Sequence, residues 1–287
     1  MSETTTARSP LPRGLRPAGV RVLVLIVAFL ALILIAGPIE SAAAGHAVSG
    51  LLVGVVVATA GVLLYRFLVG RLEQRPVDEA ALGEARPGVL RGAGLGLLLF
   101  GVTIGVIAMF GGYRIAGWGS VSGLIATLGI MCGVAVTEEL LFRGVLFRLL
   151  EKGTGTAVAL TVSGLLFGAL HLVNPGATLW GALAIAAEAG VLLGAAYTAS
   201  RRLWLPIGLH LGWNFAESGL FGATDSGSSF HGGLVQGVAH GPAVLSGGGF
   251  GPEASIFAIL IGAIASAVLL RRAARAGRIV RAPWRNR

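Results

Sequence analysis

Eight apolar segments, each close to the length that crosses a bilayer, dominate this sequence. They lie at about residues 20–37, 46–65, 92–110, 120–142, 156–173, 178–199, 203–221 and 253–270. A helix of about 20 apolar residues spans the hydrocarbon core of a membrane. Only 12% of the 287 residues are charged, about half of the roughly 25% found in soluble domains. The sequence therefore predicts an all-α polytopic membrane protein, a bundle of about eight transmembrane helices.

The 22 lysines and arginines are divided unevenly between the two sides of this bundle. All of them except Arg114 fall on the side that holds both chain termini. Because positively charged connections stay in the cytoplasm, we predict a multi-pass protein of the cell membrane with both termini cytoplasmic. The net charge of +9 is then a topology signal with some attraction for anionic membrane lipids. No nucleic-acid partner is expected.

The chain is predicted to form one membrane domain with polar ends. Residues 1–19 are expected to be disordered, residues 20–270 to form the transmembrane domain, and residues 271–287 to form a basic cytoplasmic tail. The first span resembles a signal peptide, but its apolar core exceeds the usual length of about 7–15 residues, so we expect it to be retained. Residues 222–252 are expected to form an outer loop, in which His231 and His240 are not metal ligands.

Pairs of glycines four residues apart recur in spans two to seven. The pairs are Gly50/Gly54, Gly101/Gly105, Gly129/Gly133, Gly164/Gly168, Gly190/Gly194 and Gly208/Gly212. Since lipid tails are as apolar as leucine, small residues are what let membrane helices approach each other closely. The recurrence predicts a tightly packed bundle rather than a wide pore. The single cysteine, Cys132, is expected to be a packing residue.

Two adjacent glutamates, Glu138 and Glu139, interrupt the fourth span. A carboxylate at bilayer depth costs about 2.5–3.5 kcal/mol on insertion scales, so such a pair marks a place for chemistry. Glu139 and Arg143 lie on one helix face, whereas Glu138 points about 100° away. We predict that Glu139 and Arg143 form a structural ion pair and that Glu138 is free to react. The alternative is a buried network in which both glutamates share Arg143.

Two other spans carry polar side chains at compatible depths. Counting back from the turn between spans four and five puts Glu138 opposite about residue 169, so His171 is within one helical turn of its height. His210 and Asn214 lie four residues apart on one face of the seventh span. Glu188 is expected to hydrogen-bond with Asn214, and Glu217 to reach water at the outer end. Neither of these two acids is given a catalytic role.

The candidate residues favour one kind of chemistry. No serine or cysteine is placed beside a histidine as a nucleophile, and the HExxH motif of zinc proteases does not occur. A desolvated carboxylate can act as a general base on water. Imidazole and amide N–H groups can stabilise a developing oxyanion. This combination predicts a water-activating hydrolase of amide bonds.

Three motifs together resemble one protein family. They are Glu138-Glu139-x-x-x-Arg143, Phe167-x-x-x-His171 and His210-x-x-x-Asn214, on separate spans. In this order they resemble the CPBP family, which contains type II CAAX prenyl proteases and bacteriocin-processing or Abi proteins. The resemblance covers about residues 120–220. It implies a glutamate-dependent intramembrane endopeptidase acting on a membrane-associated protein or peptide that the sequence does not identify.

The resemblance also implies a role for each residue. Glu138 would activate the water, and His171 would hold or polarise it. His210 and Asn214 would form the oxyanion site, and the pair of Glu139 and Arg143 would keep the helix in place. No cofactor is expected. Two histidines and a carboxylate can bind zinc, but a zinc site is not favoured.

Two other functions stay open at this point. One is a non-enzymatic immunity or binding protein with the same fold. The other is a proton-coupled transporter, because buried glutamates and histidines also form proton relays. Many transporters consist of two related halves, each with a helix that is broken within the membrane. The sequence shows neither an inverted repeat nor such a pair of broken spans, which disfavours the transporter.

Overall fold

The computed structural model describes residues 11–15, 17–228 and 232–282, so His231 lies outside the described residues. The main helices are α1 (Ala18–Ala43), α2 (Ala47–Leu72), α3 (Ala85–Met109), α4 (Val121–Thr154), α5 (Thr156–Leu170), α6 (Leu179–Ser200), α7 (204–220) and α8 (Ile256–Arg275). Short helical turns occupy Arg13–Leu15, Asp78–Ala80, Leu82–Glu84, His171–Val173, Ala243–Ser246 and Pro252–Ala254. Two strands, β1 (Tyr113–Trp118) and β2 (Val235–Ala239), complete the fold.

Seven helices in the described part of the chain are long and apolar enough to cross a membrane. The remaining predicted span is α7, which is shorter: an α-helix of 11 residues, Trp204–Asn214, continues into six residues of π-helix, Phe215–Leu220. Most of α7 is buried. These observations confirm the predicted all-α multi-pass membrane fold. The cytoplasmic orientation of the termini stays a prediction.

Glycines bring the helices of this bundle into backbone contact, as the spacing predicted. Gly54 of α2 lies against the backbone of Gly129 in α4, and Gly164 of α5 lies against the backbone of Gly190 in α6. A side chain at any of these positions would meet the neighbouring main chain. Close packing between membrane helices depends on such small residues.

The third helix does not use the glycine pair that the sequence suggested. Apart from the neighbouring backbone of α3 itself, no atom of the described residues lies within 4 Å of the position that a Cβ would take at Gly101 or Gly105. Helix α3 instead presents Gly92 and Gly96 to the backbone of α7 around Leu209. The prediction for Gly101/Gly105 was wrong because the spacing is the same on every face of a helix and does not reveal which face is covered.

Three helices widen into π-helix where they enclose the interior of the bundle. The widened segments are Leu140–Phe147 in α4, Ala186–Gly190 in α6 and Phe215–Leu220 in α7. Glu139 precedes the first of them, and Glu188 and Glu217 lie in the other two. Single turns of π-helix often occur at functional sites. Three of the buried acids therefore lie in, or next to, local departures from regular α-helix.

A two-stranded antiparallel ribbon joins two connections that the sequence treated as loops. Strand β1 follows α3, and β2 lies within the predicted outer loop 222–252. Tyr113 pairs with Ala239, and Trp118 pairs with Val235. The ribbon marks one end of the bundle, which we call the ribbon end. The expectation of a plain loop was wrong for β2 because the pairing partner lies far away in sequence.

The opposite end carries most of the arginines and is called the basic end. Glu73 accepts from Arg148 Nη1 at 2.8 Å and from Arg75 Nε at 2.7 Å, and Arg75 also pairs with Glu79. Burial alone would raise the pKa of Glu73, but the hydrogen bonds from Arg148 and Arg75 outweigh burial and lower that pKa to about 2. The carboxylate of Glu73 is therefore held as a charged, paired group.

The predicted tail also packs against the basic end. Helix α8 continues to Arg275, beyond the boundary at residue 271. The N–H of Thr156, at the start of α5, donates to the carbonyl of Val280 at 2.9 Å. Gly155, which separates α4 from α5, has φ +83°, a conformation that glycine adopts without strain. The chain after α8 therefore covers the α4–α5 turn.

Candidate active site

The centre of the bundle contains an ion pair between two residues of α4. Arg143 Nη1 donates to Glu139 Oε1 at 2.7 Å, and both side chains are at most 1% exposed. Arg143 Nη2 donates to the carbonyls of Ala189 and Gly190 in α6, at 3.2 and 3.1 Å. The guanidinium lies 4.6 Å from the centre of the Phe167 ring of α5. This single arginine therefore links α4, α5 and α6.

The same carboxylate holds a histidine from α7. His210 Nδ1 lies 3.1 Å from Glu139 Oε1, the oxygen that also accepts from Arg143. A carboxylate oxygen only accepts when ionised, so His210 Nδ1 carries the proton and Nε2 is the nitrogen that remains for a ligand. Sequence spacing suggested the contact of Glu139 with Arg143 but contained no signal for the contact with His210.

His171 is oriented by the helix that it ends. Its Nδ1 lies 2.8 Å from the carbonyl of Phe167, one turn earlier in α5. Because a carbonyl only accepts, His171 Nδ1 carries the proton and its Nε2 can accept a hydrogen bond in the neutral ring. The centre of the Phe167 ring lies 4.9 Å from that of His171 and 5.9 Å from that of His210. Phe167 therefore packs against both imidazoles.

One small cavity unites three of the candidate residues. His171, His210 and Asn214 line it together with Glu188, Ser226 and Glu253. The space open to the centre of a water molecule is about 10 Å³, close to the least that one water needs. The cavity thus has room for about one water molecule but not for a peptide.

Glu138 lies beside this group rather than in the cavity wall. It is 9% exposed, and it is not among the described residues that line the cavity. Its Oε2 atom has no hydrogen-bond partner in the described part of the chain. Its electrostatic neighbours are His210, Arg143 and Glu40. The structure therefore separates two adjacent carboxylates: Glu139 is bound by Arg143 and His210, and Glu138 is not.

Glu188 lies where it was expected, whereas Glu217 does not. Glu188 lines the cavity with Asn214, but the expected hydrogen bond between them is not formed among the described residues, and Glu188 Oε2 has no partner there. Glu217 was expected to reach water and is fully buried, so that prediction was wrong. The connection after α7 and the turn before α8 cover Glu217, and a count of helical positions does not reveal a covering loop.

Three residues near the site were missed by sequence reasoning. Ser226 and Glu253 line the cavity from connections that had been treated as outer loop or span end. Glu40 lies at the end of α1, buried against Gly133 of α4, and Glu138 is an electrostatic neighbour. The sequence did contain a signal for Glu40, because this acid lies only three residues beyond the predicted end of the first span at residue 37.

His171 and His210 do not belong to the group of side chains that could hold a metal ion. Within residues 11–15, 17–228 and 232–282, the one group of three side chains at ligand spacing is Glu217, Asp225 and Glu253. His171 and His210 with Glu138 do not form such a group. Their geometry in this structure therefore offers no preformed site of two histidines and a carboxylate.

A comparison with known proteins bears on the same residues. Residues 120–216 match the family model described as Type II CAAX prenyl endopeptidase Rce1-like. The match covers about a third of the 287 residues and includes every candidate site residue named from the motifs. No curated protein and no solved structure matches the chain. The match confirms the resemblance drawn from the motifs and supports an intramembrane protease of the CAAX type in general.

Proposed function

We propose that this protein is an intramembrane endopeptidase in which Glu138 activates a water molecule to hydrolyse a peptide bond. One observation carries the proposal. Glu139 accepts through Oε1 from Arg143 and from His210 and leaves only its Oε2 without a partner, whereas Glu138 forms no hydrogen bond or ion pair with the described residues. A buried carboxylate that no cation holds can accept a proton from water, and general bases need that freedom.

The proposed reaction begins when Glu138 takes a proton from water as the water oxygen bonds to the substrate carbonyl carbon. The resulting oxyanion accepts hydrogen bonds from the Asn214 amide and from Nε2 of His210, which donates as an imidazolium beside Glu139. Glu138 then gives its proton to the amide nitrogen, and the C–N bond breaks. The products are a carboxylic acid and an amine.

The other residues of the site position these groups. In the proposal, Nε2 of His171 accepts a hydrogen bond from the attacking water, because its Nδ1 is engaged with the carbonyl of Phe167. Glu139 and Arg143 hold α4 against α6, and Glu139 also orients His210. A residue that acts in this way is a positioning residue rather than a catalytic one.

The size of the cavity adds a requirement. A space for about one water molecule does not admit a peptide, so part of the bundle must move before the scissile bond reaches Asn214. We propose that the same movement opens the cavity toward Glu138. The proposed substrate is a membrane-associated protein or peptide. The proposal also places the protein in the cell membrane with cytoplasmic termini, and its chemistry uses no metal.

The test is the loss of specific protein termini. Membranes from cells that express wild type, Glu138→Gln or Glu84→Gln would be compared by N-terminal proteomics. Glu84 is a matched control because its carboxylate is more than half exposed, at 55%. We expect a set of termini that is present with wild type and Glu84→Gln and lost with Glu138→Gln, while all three proteins insert equally. A zinc-selective chelator should leave these termini unchanged.

Each alternative function has its own outcome in this experiment. Termini that persist in Glu138→Gln contradict the proposed base. A cellular phenotype that survives Glu138→Gln without any change in termini favours an immunity or binding protein. Uptake of a solute by proteoliposomes, independent of proteolysis, favours a transporter.

A further inference from the structure

Three acids meet at the ribbon end of the bundle, outside the group that the proposed reaction uses. Glu217 ends α7, Asp225 follows in the connection to β2, and Glu253 lies in the turn before α8. All three side chains are buried. One oxygen from each lies within 4.8 Å of the others. Residues far apart in sequence thus bring three carboxylates together.

Ser218 and Ser226 are the neighbours that hydrogen-bond to this cluster, and no cationic side chain of the described residues pairs with it. Ser218 Oγ donates to Asp225 Oδ2 at 3.1 Å. Apart from the contact between these two carboxyl groups, both oxygens of Glu217 and Oε1 of Glu253 have no hydrogen-bond partner among the described residues. Buried charges in proteins are paired with opposite charge, coordinate a metal, or are neutralised by protons. The cluster therefore binds either protons or a cation.

A fourth acid, from another helix, points to the same ligand. Glu188 of α6 lines the cavity that Glu253 also lines. It is 1% exposed, and its Oε2 has no hydrogen-bond partner in the described residues. Glu217 and Glu253 are both electrostatic neighbours of Glu188. An unpartnered buried carboxylate outside the cluster thus adds negative charge to the same region.

We propose that Glu217, Asp225 and Glu253 bind a hard divalent cation of the Ca²⁺ type. The donors are all oxygen, which hard cations prefer, and there is no thiolate or imidazole in the group. Opposite ligands around Ca²⁺ stand about 4.6–5.2 Å apart, twice the Ca–O distance, and the separation of the three oxygens fits within that diameter. The Ser218 hydroxyl is a further oxygen beside Asp225.

A bound cation would hold in place the wall of the cavity that contains Ser226. It would tie the end of α7 to the connection after it and to the start of α8. Ser226 adjoins Asp225 and lines the cavity with His171 and Asn214. An occupied site would therefore hold this wall in place. The inference depends on the three acids alone and does not depend on the proposed proteolysis.

Terbium luminescence tests the site directly, because a tryptophan lies next to it. Trp180 Nε1 donates to the carbonyl of Ala254, the residue after Glu253, at 2.9 Å. The full-length protein in detergent would be stripped with EDTA and titrated with Tb³⁺ under excitation of tryptophan. We expect a saturable emission that Ca²⁺ displaces. Glu253→Gln and Glu217→Gln should weaken binding on the order of tenfold or more, since affinity follows the charge of the ligands.

Control variants distinguish this site from surface binding. Glu84→Gln removes an exposed acid and should leave the titration unchanged. Trp180→Phe should reduce the emission without changing the Ca²⁺ concentration that protects the protein from heat. If the glutamine variants do not fold, the wild type still decides, because emission that is absent or that Ca²⁺ does not displace overturns the proposal.

Thermal unfolding distinguishes binding of a cation to the cluster from protonation of its carboxylates. We expect Ca²⁺ to raise the Tm of wild type at pH 7.5 and to have no effect on Glu253→Gln. A Tm that rises on acidification and ignores Ca²⁺, Mg²⁺ and Mn²⁺ alike would mean that protons neutralise the cluster, and the cation site would be rejected. Proteolysis is not measured in either experiment, so their outcome is independent of the role of Glu138.

Discussion

The basic end and the bundle interior treat buried carboxylates in opposite ways. At the basic end, Glu73 and Glu79 each pair with arginine. In the interior, Glu138 and Glu217 keep oxygens without a hydrogen-bond partner among the described residues. Glu79 at the basic end is 6% exposed and Glu138 in the interior is 9% exposed, so burial alone does not separate a structural acid from a reactive one. The position of the arginines does.

Glu139 combines the location of one group of acids with the arginine pairing of the other. It lies in the interior, next to Glu138, yet it is paired with Arg143 as the acids of the basic end are paired with theirs. Its second contact, with His210, extends the pairing toward the candidate site. The comparison therefore predicts that loss of a paired group weakens folding, whereas loss of an unpaired group weakens function at unchanged stability.

The largest effect is expected from Arg143→Met. The change leaves the Glu139 carboxylate buried without its cation, and removing one partner of a buried pair costs about 3–5 kcal/mol. The free energy of unfolding in mixed detergent, or the Tm, would measure it. The double variant Glu139→Gln/Arg143→Met is the control and should recover part of the loss. Equal stability of Arg143→Met and wild type would contradict the structural role of the pair.

Asn214→Ala is expected to act on turnover instead. If its amide donates to the oxyanion, its loss should lower kcat by about 10²–10³-fold, as the loss of one oxyanion donor does elsewhere. Measuring kcat and KM separately on a peptide found by proteomics would check this result. Gln236→Ala, which removes an exposed amide on β2, is the matched control. A change in KM alone would argue against the oxyanion role.

A smaller effect is expected from Glu73→Gln. The variant takes away the carboxylate that accepts from Arg148 and Arg75. Hydrogen bonds to charged groups contribute about 1.5–3 kcal/mol when buried, and the partial exposure of Arg75 reduces this, so we expect a loss of roughly 1–2 kcal/mol. Denaturant unfolding would measure it. Unchanged cleavage per folded molecule should accompany the loss.

The smallest effect is on the pH dependence of stability. The folded-state pKa of Glu73, about 2, lies below its value in the unfolded chain, about 4.3. The stabilisation is therefore complete above about pH 4.3 and is lost as the pH falls toward 2. Acid unfolding of Glu73→Gln should have a shallower slope in this window than that of wild type. Identical slopes would mean that Glu73 is not held in its charged form.

The sequence was sufficient for the fold class and for the residues that share a helix face. Apolar length predicted the spans, and a spacing of four residues predicted that Glu139 could reach Arg143. It was insufficient wherever two distant segments meet. The contact between Glu139 and His210, the pairing of β1 with β2, and the covering of Glu217 all depend on how helices and connections are arranged in space, which periodicity within one segment does not encode.

The glycine contacts between α3 and α7 have a consequence for altering specificity. Gly92 and Gly96 bring the main chain of α3 directly onto α7, which carries His210 and Asn214. With backbone against backbone, there is no layer of side chains to adjust, so α7 acts as a fixed reference. Enlargement of the cavity should therefore begin on α6, where Ile185 and Leu192 line it and can be exchanged for smaller residues.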